Sequence, residues 1–119
     1  MRILIVEDDK NLQMLYRDEL SEEGYEVHIA GSAAEAWHKF LALDLDFVTM
    51  DIQLPDFNGK DLLRRMRELK PEIPALFLTA YDFFDDSAVW MSDDFVIKSS
   101  DLSELKQRIQ DRLKTRLVV

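Results

Sequence analysis

Cysteine is absent from the 119 residues, which removes disulfides, thiolate nucleophiles and every cysteine-ligated metal or iron–sulfur site. Any metal must be held by oxygen or by histidine. Histidine is scarce too: His28 and His38 stand ten residues apart without the paired spacing of a zinc site, and they read as surface residues. No apolar run approaches the roughly 20 residues that span a bilayer, and the N-terminus lacks the charged, apolar and small-residue succession of a signal peptide. A cytoplasmic protein without membrane contact is the expectation. Glycine and proline number three each and nowhere gather into a linker, while 47% of the residues are hydrophobic. One domain over residues 1–119 is therefore expected. Basic residues are outnumbered, 15 to 24, and the net charge of −9 argues against direct nucleic-acid binding, which needs a basic footprint. The acidity is uneven, since residues 1–60 hold 13 carboxylates against 5 Lys/Arg and residues 61–119 hold 11 against 10.

What is present is a repeating alternation. Arg2 to Val6 is a short β-branched run that meets Glu7, Asp8 and Asp9, a strand followed by a loop. Leu12, Leu15, Tyr16 and Leu20 then recur at helical spacing, with Asn11 or Asp9 to cap the start and Gly24 beyond the end. Tyr25 to Ala30 alternates as a strand, and Ser32 with Glu35 forms a capping box before Ala33, Ala36, Trp37, Phe40 and Leu41. Phe47 to Met50 runs into Asp51, and a turn with Pro55 and Asn58-Gly59 leads to Leu62, Leu63, Met66 and Leu69. Ala75 to Thr79 and Phe95 to Lys98 are strands four and five, and a fifth helix opened by Ser100 or Asp101 carries Leu102, Leu105, Ile109 and Leu113 on one face.

Parallel neighbours need helical crossovers, nearly always right-handed, so this alternation predicts an α/β fold. The expected form is a five-stranded parallel sheet covered by helices on both faces. For strand order 2-1-3-4-5 the ligand crevice lies beyond the carboxyl ends of strands one and three. Glu7 and Asp8 leave strand one, Asp51 leaves strand three, Thr79 closes strand four and Lys98 closes strand five. One rim thus gathers the polar groups that interrupt buried strand ends. Carboxylates about 4 Å apart repel by roughly 4 kcal/mol per pair at an effective dielectric near 20, so the rim wants a cation. Mg²⁺ suits one or two direct carboxylates with retained water and phosphate oxygens, whereas Ca²⁺ needs more oxygen ligands than the rim offers. With the ion in place Asp51 can serve as a carboxylate nucleophile toward a phosphoryl group whose charge the metal and Lys98 neutralise, and Thr79 can donate a hydrogen bond.

VEDD at 6–9, MDIQLPDFNG at 50–59, LTA at 78–80 and FVIK at 95–98 together resemble the four signatures of response-regulator receiver domains of two-component signalling, including the single-domain chemotaxis type. The resemblance covers nearly the whole chain and implies a flavodoxin-like (βα)5 fold. It implies that Asp51 accepts a phosphoryl group from the phosphohistidine of a sensor histidine kinase or from a phosphotransfer protein. Asp8 and Asp51 would ligate Mg²⁺ with the backbone carbonyl of Gln53, and Glu7 would hold it through water. Thr79 and Lys98 would bind the phosphoryl oxygens, and Phe95 matches the aromatic switch position that follows Thr79. Such a domain catalyses its own Mg²⁺-dependent phosphorylation and dephosphorylation, presents a changed surface to an output protein or domain, and in some cases dimerises when phosphorylated.

Two departures stand out. Ser99 follows Lys98 where the family usually has proline, and Thr79 and Lys98 are only 19 residues apart, so the fourth helix is expected to be short or mobile. Other readings fit less well. A flavin mononucleotide binder of the same architecture needs a Ser/Thr/Gly-rich phosphate loop where this chain has Glu7-Asp8-Asp9. A haloacid-dehalogenase-like phosphatase needs an acid where Gln53 stands. A non-catalytic receiver-like scaffold would usually have lost an acid or the lysine. The chain is either a stand-alone receiver or one domain of a longer product.

Overall fold

The computed structural model describes residues 1–79, 95–98 and 101–118. The elements run β1 (Arg2–Val6), α1 (Lys10–Glu22), β2 (Glu26–Ala30), α2 (Ala33–Ala42), β3 (Phe47–Asp51), α3 (Gly59–Leu69), β4 (Ala75–Thr79), β5 (Phe95–Ile97) and α4 (Ser103–Val118). This last helix is the one read above as the fifth. The segment expected to form a short or mobile fourth helix, and Ser99, lie outside the described residues. All strand pairs are parallel in the order β2-β1-β3-β4-β5, the doubly wound order expected from the sequence.

Side-chain alternation divides the core into two layers. Ile3, Ile5, Phe47, Leu76, Leu78 and Val96 point to the face covered by α1 and α4, where Tyr16, Leu20, Leu102, Leu105, Ile109 and Leu113 close over them. Leu4, Val6, Val48, Met50, Ala75 and Phe77 point to the other face, covered by α2 and α3 through Ala33, Ala36, Phe40, Leu62, Leu63 and Met66. Both faces of the central strands are buried, which is why their sequences read as continuous apolar runs.

The helix boundaries have local causes. Asp9, not Asn11, caps α1: its side chain accepts from the amides of Asn11 (2.8 Å) and Leu12 (3.1 Å). Gly24 ends that helix with φ +93°, a left-handed conformation costly for any residue with a Cβ. Ser32 Oγ accepts from the Glu35 amide (3.2 Å), but the Glu35 carboxylate accepts from the Gly31 amide (2.6 Å) and not from that of Ser32, so the capping box closes one residue early. Two residues assigned to apolar stripes face water: Leu41 is 57% and Leu69 61% exposed. Leu41 follows the buried Phe40 and is carried roughly 100° around the helix, while Leu69 ends α3. Among the described residues no helix is long and apolar enough to cross a membrane.

Ile109 is fully buried on α4 and fastens that helix to the sheet. Ile109→Ala should cost about 2–5 kcal/mol through lost burial and residual cavity. Urea unfolding checks this as a lower midpoint at unchanged slope.

Candidate functional site

The chain leaves β1 still in register, because the Glu7 amide donates to the Ala30 carbonyl of β2 at 2.9 Å. Residue 7 therefore continues the odd-numbered face of Ile3 and Ile5, and its carboxylate is driven inward to 1% exposure. Asp8, one residue on, is exposed, and Asp9 is engaged as the cap of α1. On the neighbouring strand Asp51 is the last residue of β3, half-buried, with Oδ1 accepting from the Gln53 amide at 3.1 Å. Oxygens of Glu7, Asp8 and Asp51 all lie within 4.8 Å of one another. At that separation each pair repels by about 3–4 kcal/mol at an effective dielectric of 20.

The Lys98 ammonium relieves part of this. From just beyond β5 it reaches Asp51 Oδ2 at 2.7 Å and the two oxygens of Glu7 at 3.2 and 2.9 Å, although only the longer Glu7 contact has hydrogen-bond alignment. Burial raises the Glu7 carboxyl above its ordinary 4.5, and the hydrogen bond and charge of Lys98 pull the other way without cancelling it. Burial would lower the Lys98 ammonium, but hydrogen bonds and charge from Asp51 and Glu7 outweigh that and hold it above its ordinary 10.5. Three carboxylates and one ammonium leave a net −2, the charge that one divalent cation neutralises. The donor set, all oxygen and partly open to solvent, fits Mg²⁺.

The loop after Asp51 is held at both ends. The Gly59 amide donates to the Ile52 carbonyl (2.7 Å), and a Cβ on Gly59 would sit 2.3 Å from the Asp51 carbonyl oxygen, so no other residue fits without moving the strand end. In the middle of the loop, Asp56 accepts from the Ala33 and Ala34 amides at 2.8 and 3.1 Å, capping α2 from outside its own segment. Phe57 lies under the Arg65 guanidinium, 4.9 Å from ring centre to cation. Gln53 and Asp8 share an open depression of about 490 Å³ with Ile52, Leu54, Pro55, Phe57 and Asn58.

The structure thus brings together Glu7, Asp8, Asp51 and Lys98, with Gln53 beside them. Thr79 ends β4 at the same edge, its backbone opposite Ile97 of β5. Phe95 is on the other face, stacked on Phe77 with centroids 5.7 Å apart. Asp56 and the close approach of Gly59 were missed from sequence. An acid that caps a helix 23 residues earlier carries no local signal for the first, and Asn58-Gly59 read only as a turn for the second.

Comparison with known proteins matches the fold. The family model for the response regulator receiver domain matches residues 3–110. The transcriptional regulatory protein TrcR of Mycobacterium tuberculosis is 37% identical over 96% of this chain and 46% of its own length. CusR of Escherichia coli K12 is 32% identical over 96% of this chain and 52% of its own. The chain spans about half the length of these relatives. Among solved structures, the response regulator TrrA of Thermotoga maritima in complex with Mg²⁺-BeF is 36% identical with TM-score 0.85, covering 93% of this chain and 97% of that one. A structure of the histidine kinase ThkA in complex with TrrA matches at 36% identity and TM-score 0.85, over 94% and 97% of the two chains.

Because the folded values of both Glu7 and Lys98 are raised, each contributes stability that is full below its unfolded value and is lost as pH rises through the folded one. Lys98→Ala, without metal at pH 7, should cost about 2 kcal/mol, less than a fully buried pair because a fifth of the lysine side chain is solvated. The loss should shrink as pH falls toward 4.5, where a protonated Glu7 needs no counter-charge. Urea titrations of both proteins at several pH values measure it.

Proposed function

Because the chain belongs to the response regulator receiver domain family, we propose that Asp51 accepts a phosphoryl group with Mg²⁺ and that the domain switches the surface it offers an output partner. The observation that carries this reading is the Asp51 carboxylate at the open end of β3, with two further acids within 4.8 Å and the Lys98 ammonium at 2.7 Å. Asp8, Asp51 and the Gln53 backbone carbonyl would hold Mg²⁺ directly, with Glu7 holding it through water. When bound, the ion offsets charge on the phosphoryl oxygens and so lets an anionic donor approach a carboxylate.

The residues then divide the work. An Asp51 oxygen attacks phosphorus as the bond to the donor breaks, and for a phosphohistidine donor the electron pair stays on the imidazole nitrogen, which takes up a proton. Lys98, already aligned on Asp51, pairs with the transferring oxygens. Thr79, at the end of β4, is assigned the remaining phosphoryl contact, and Phe95 the accompanying switch. A histidine kinase as donor is supported by the complex of ThkA with the similar TrrA. The transcriptional regulators among the relatives, which are about twice as long, support an output domain or protein downstream of the receiver. Dimerisation on phosphorylation is one form that output can take.

Acetyl phosphate with Mg²⁺ should add one phosphoryl group to the intact protein by mass, and Asp51→Asn should abolish the addition while the fold persists, because the amide lacks the nucleophilic charge. Equal labelling of the variant would place the acceptor elsewhere. Calorimetric titration should show Asp8→Ala weakening Mg²⁺ binding more than Glu7→Ala, for which a loss of about tenfold is expected of a water-mediated partner. Unchanged affinity in Asp8→Ala would remove it from the metal site.

A further inference from the structure

Among the described residues, three buried side-chain oxygens lack a hydrogen-bond partner: Glu7 Oε2, Tyr16 Oη and Thr49 Oγ1. The two hydroxyls are liabilities, since an unsatisfied buried polar group forfeits its hydration, and Glu7 Oε2 has only the unaligned ion pair with Lys98 at 2.9 Å. All three residues belong to the side of the sheet that α1 covers. Thr49 precedes Asp51 by two residues on the same face of β3 and is paired in register with Ile5, which precedes Glu7 by two on the same face of β1. Thr49 therefore lies one step below the acids, fully buried.

Tyr16 reaches the same level from the helix above. Gln13 Nε2 donates to the Glu7 carbonyl at 2.5 Å, which fixes the side of α1 that faces the end of β1. Tyr16 is one turn further along that side and is 1% exposed within the core layer of Ile5 and Leu78. Helical side chains lean toward the helix N-terminus, which here is the acid rim. Burial first and the Glu7 charge second push the Tyr16 hydroxyl up to about 12, which agrees with a phenol close to that carboxylate.

We propose that Tyr16 and Thr49 are positioning residues for the metal site, joined to Glu7 by one shared buried water. The Tyr16 hydroxyl donates to the water, and the water donates to Glu7 Oε2 and to Thr49 Oγ1. A buried water typically makes about three hydrogen bonds to otherwise unsatisfied groups, and three buried oxygens on this side of the sheet have no hydrogen-bond partner. The contact fixes Glu7 Oε2 from beneath while Lys98 approaches from β5, so the carboxylate keeps one orientation toward the cation. This rests on the assignment of Glu7 to the Mg²⁺ site made above.

The test is Mg²⁺ titration of the whole chain by calorimetry, with metal-free melting recorded alongside. Tyr16→Phe and Thr49→Val should each raise the Mg²⁺ Kd about 3- to 10-fold, whereas Thr49→Ser, which keeps the hydroxyl, should bind as the parent does. Ile3→Val, a trimming of the same core layer, should leave Kd unchanged. A high-resolution crystal structure of the parent should show a water within hydrogen-bond distance of all three oxygens, and that of Tyr16→Phe should show it lost or displaced. Parent-like affinity in Tyr16→Phe and Thr49→Val, an equal loss in Thr49→Ser or Ile3→Val, or apolar contact in place of the water would overturn the proposal. Asp8→Ala separates this from the reading beneath it: if Asp8→Ala also binds Mg²⁺ like the parent, the metal site itself is wrong.

Discussion

Like charge held at short range is the condition around which this molecule is arranged. Three carboxylates within 4.8 Å of one another, one of them almost wholly buried, are unfavourable in any fold that does not supply positive charge. The parallel sheet puts them there because strands β1 and β3 are neighbours and both run out at the same edge. Lys98 answers from beyond β5, two strands from Asp51 and three from Glu7, and its ammonium touches both. The compensation is incomplete by the charge of one divalent cation, and this shortfall is the ground for the Mg²⁺ site proposed above.

The division of the core into two layers decides what each site residue can feel. Glu7, Thr49 and Lys98 belong to the face under α1 and α4, whereas Phe95 belongs with Phe77 to the face under α2 and α3. An event at the acids thus has two routes into the protein. One runs through Lys98 into β5, and the other through the loop after Asp51, which Asp56 fastens to α2.

Much of this was legible because the informative signals are local in sequence. Short apolar runs ending in Glu7, Asp51, Thr79 and Lys98 mark strands and the edge they share, and strand order follows from the crossover rule. The proposed chemistry was read from residue type at those ends. What escaped depends on relations between distant segments. Leu41 and Leu69 fit a helical stripe, but periodicity around a helix does not say how far along it the neighbouring surface extends. Asp56 caps a helix more than 20 residues earlier in the chain. Tyr16 was read only as part of an apolar helical stripe and Thr49 only as part of a strand, and burial alone reveals that their hydroxyls lack partners.

The double anchoring of the loop after Asp51 bears on which changes of length the chain can absorb. Surface loops generally accept insertions cheaply, because closing a longer loop adds little entropy cost. This one is held by Asp56 on the α2 amides and by Gly59 against the Asp51 carbonyl, so its length is a matter of register. One residue added before Asp56 would release the start of α2, and one added after it would displace Gly59 from the only contact narrow enough to demand glycine. Within residues 52–58, substitution is open at the exposed Gln53 and Pro55, and insertion or deletion is not.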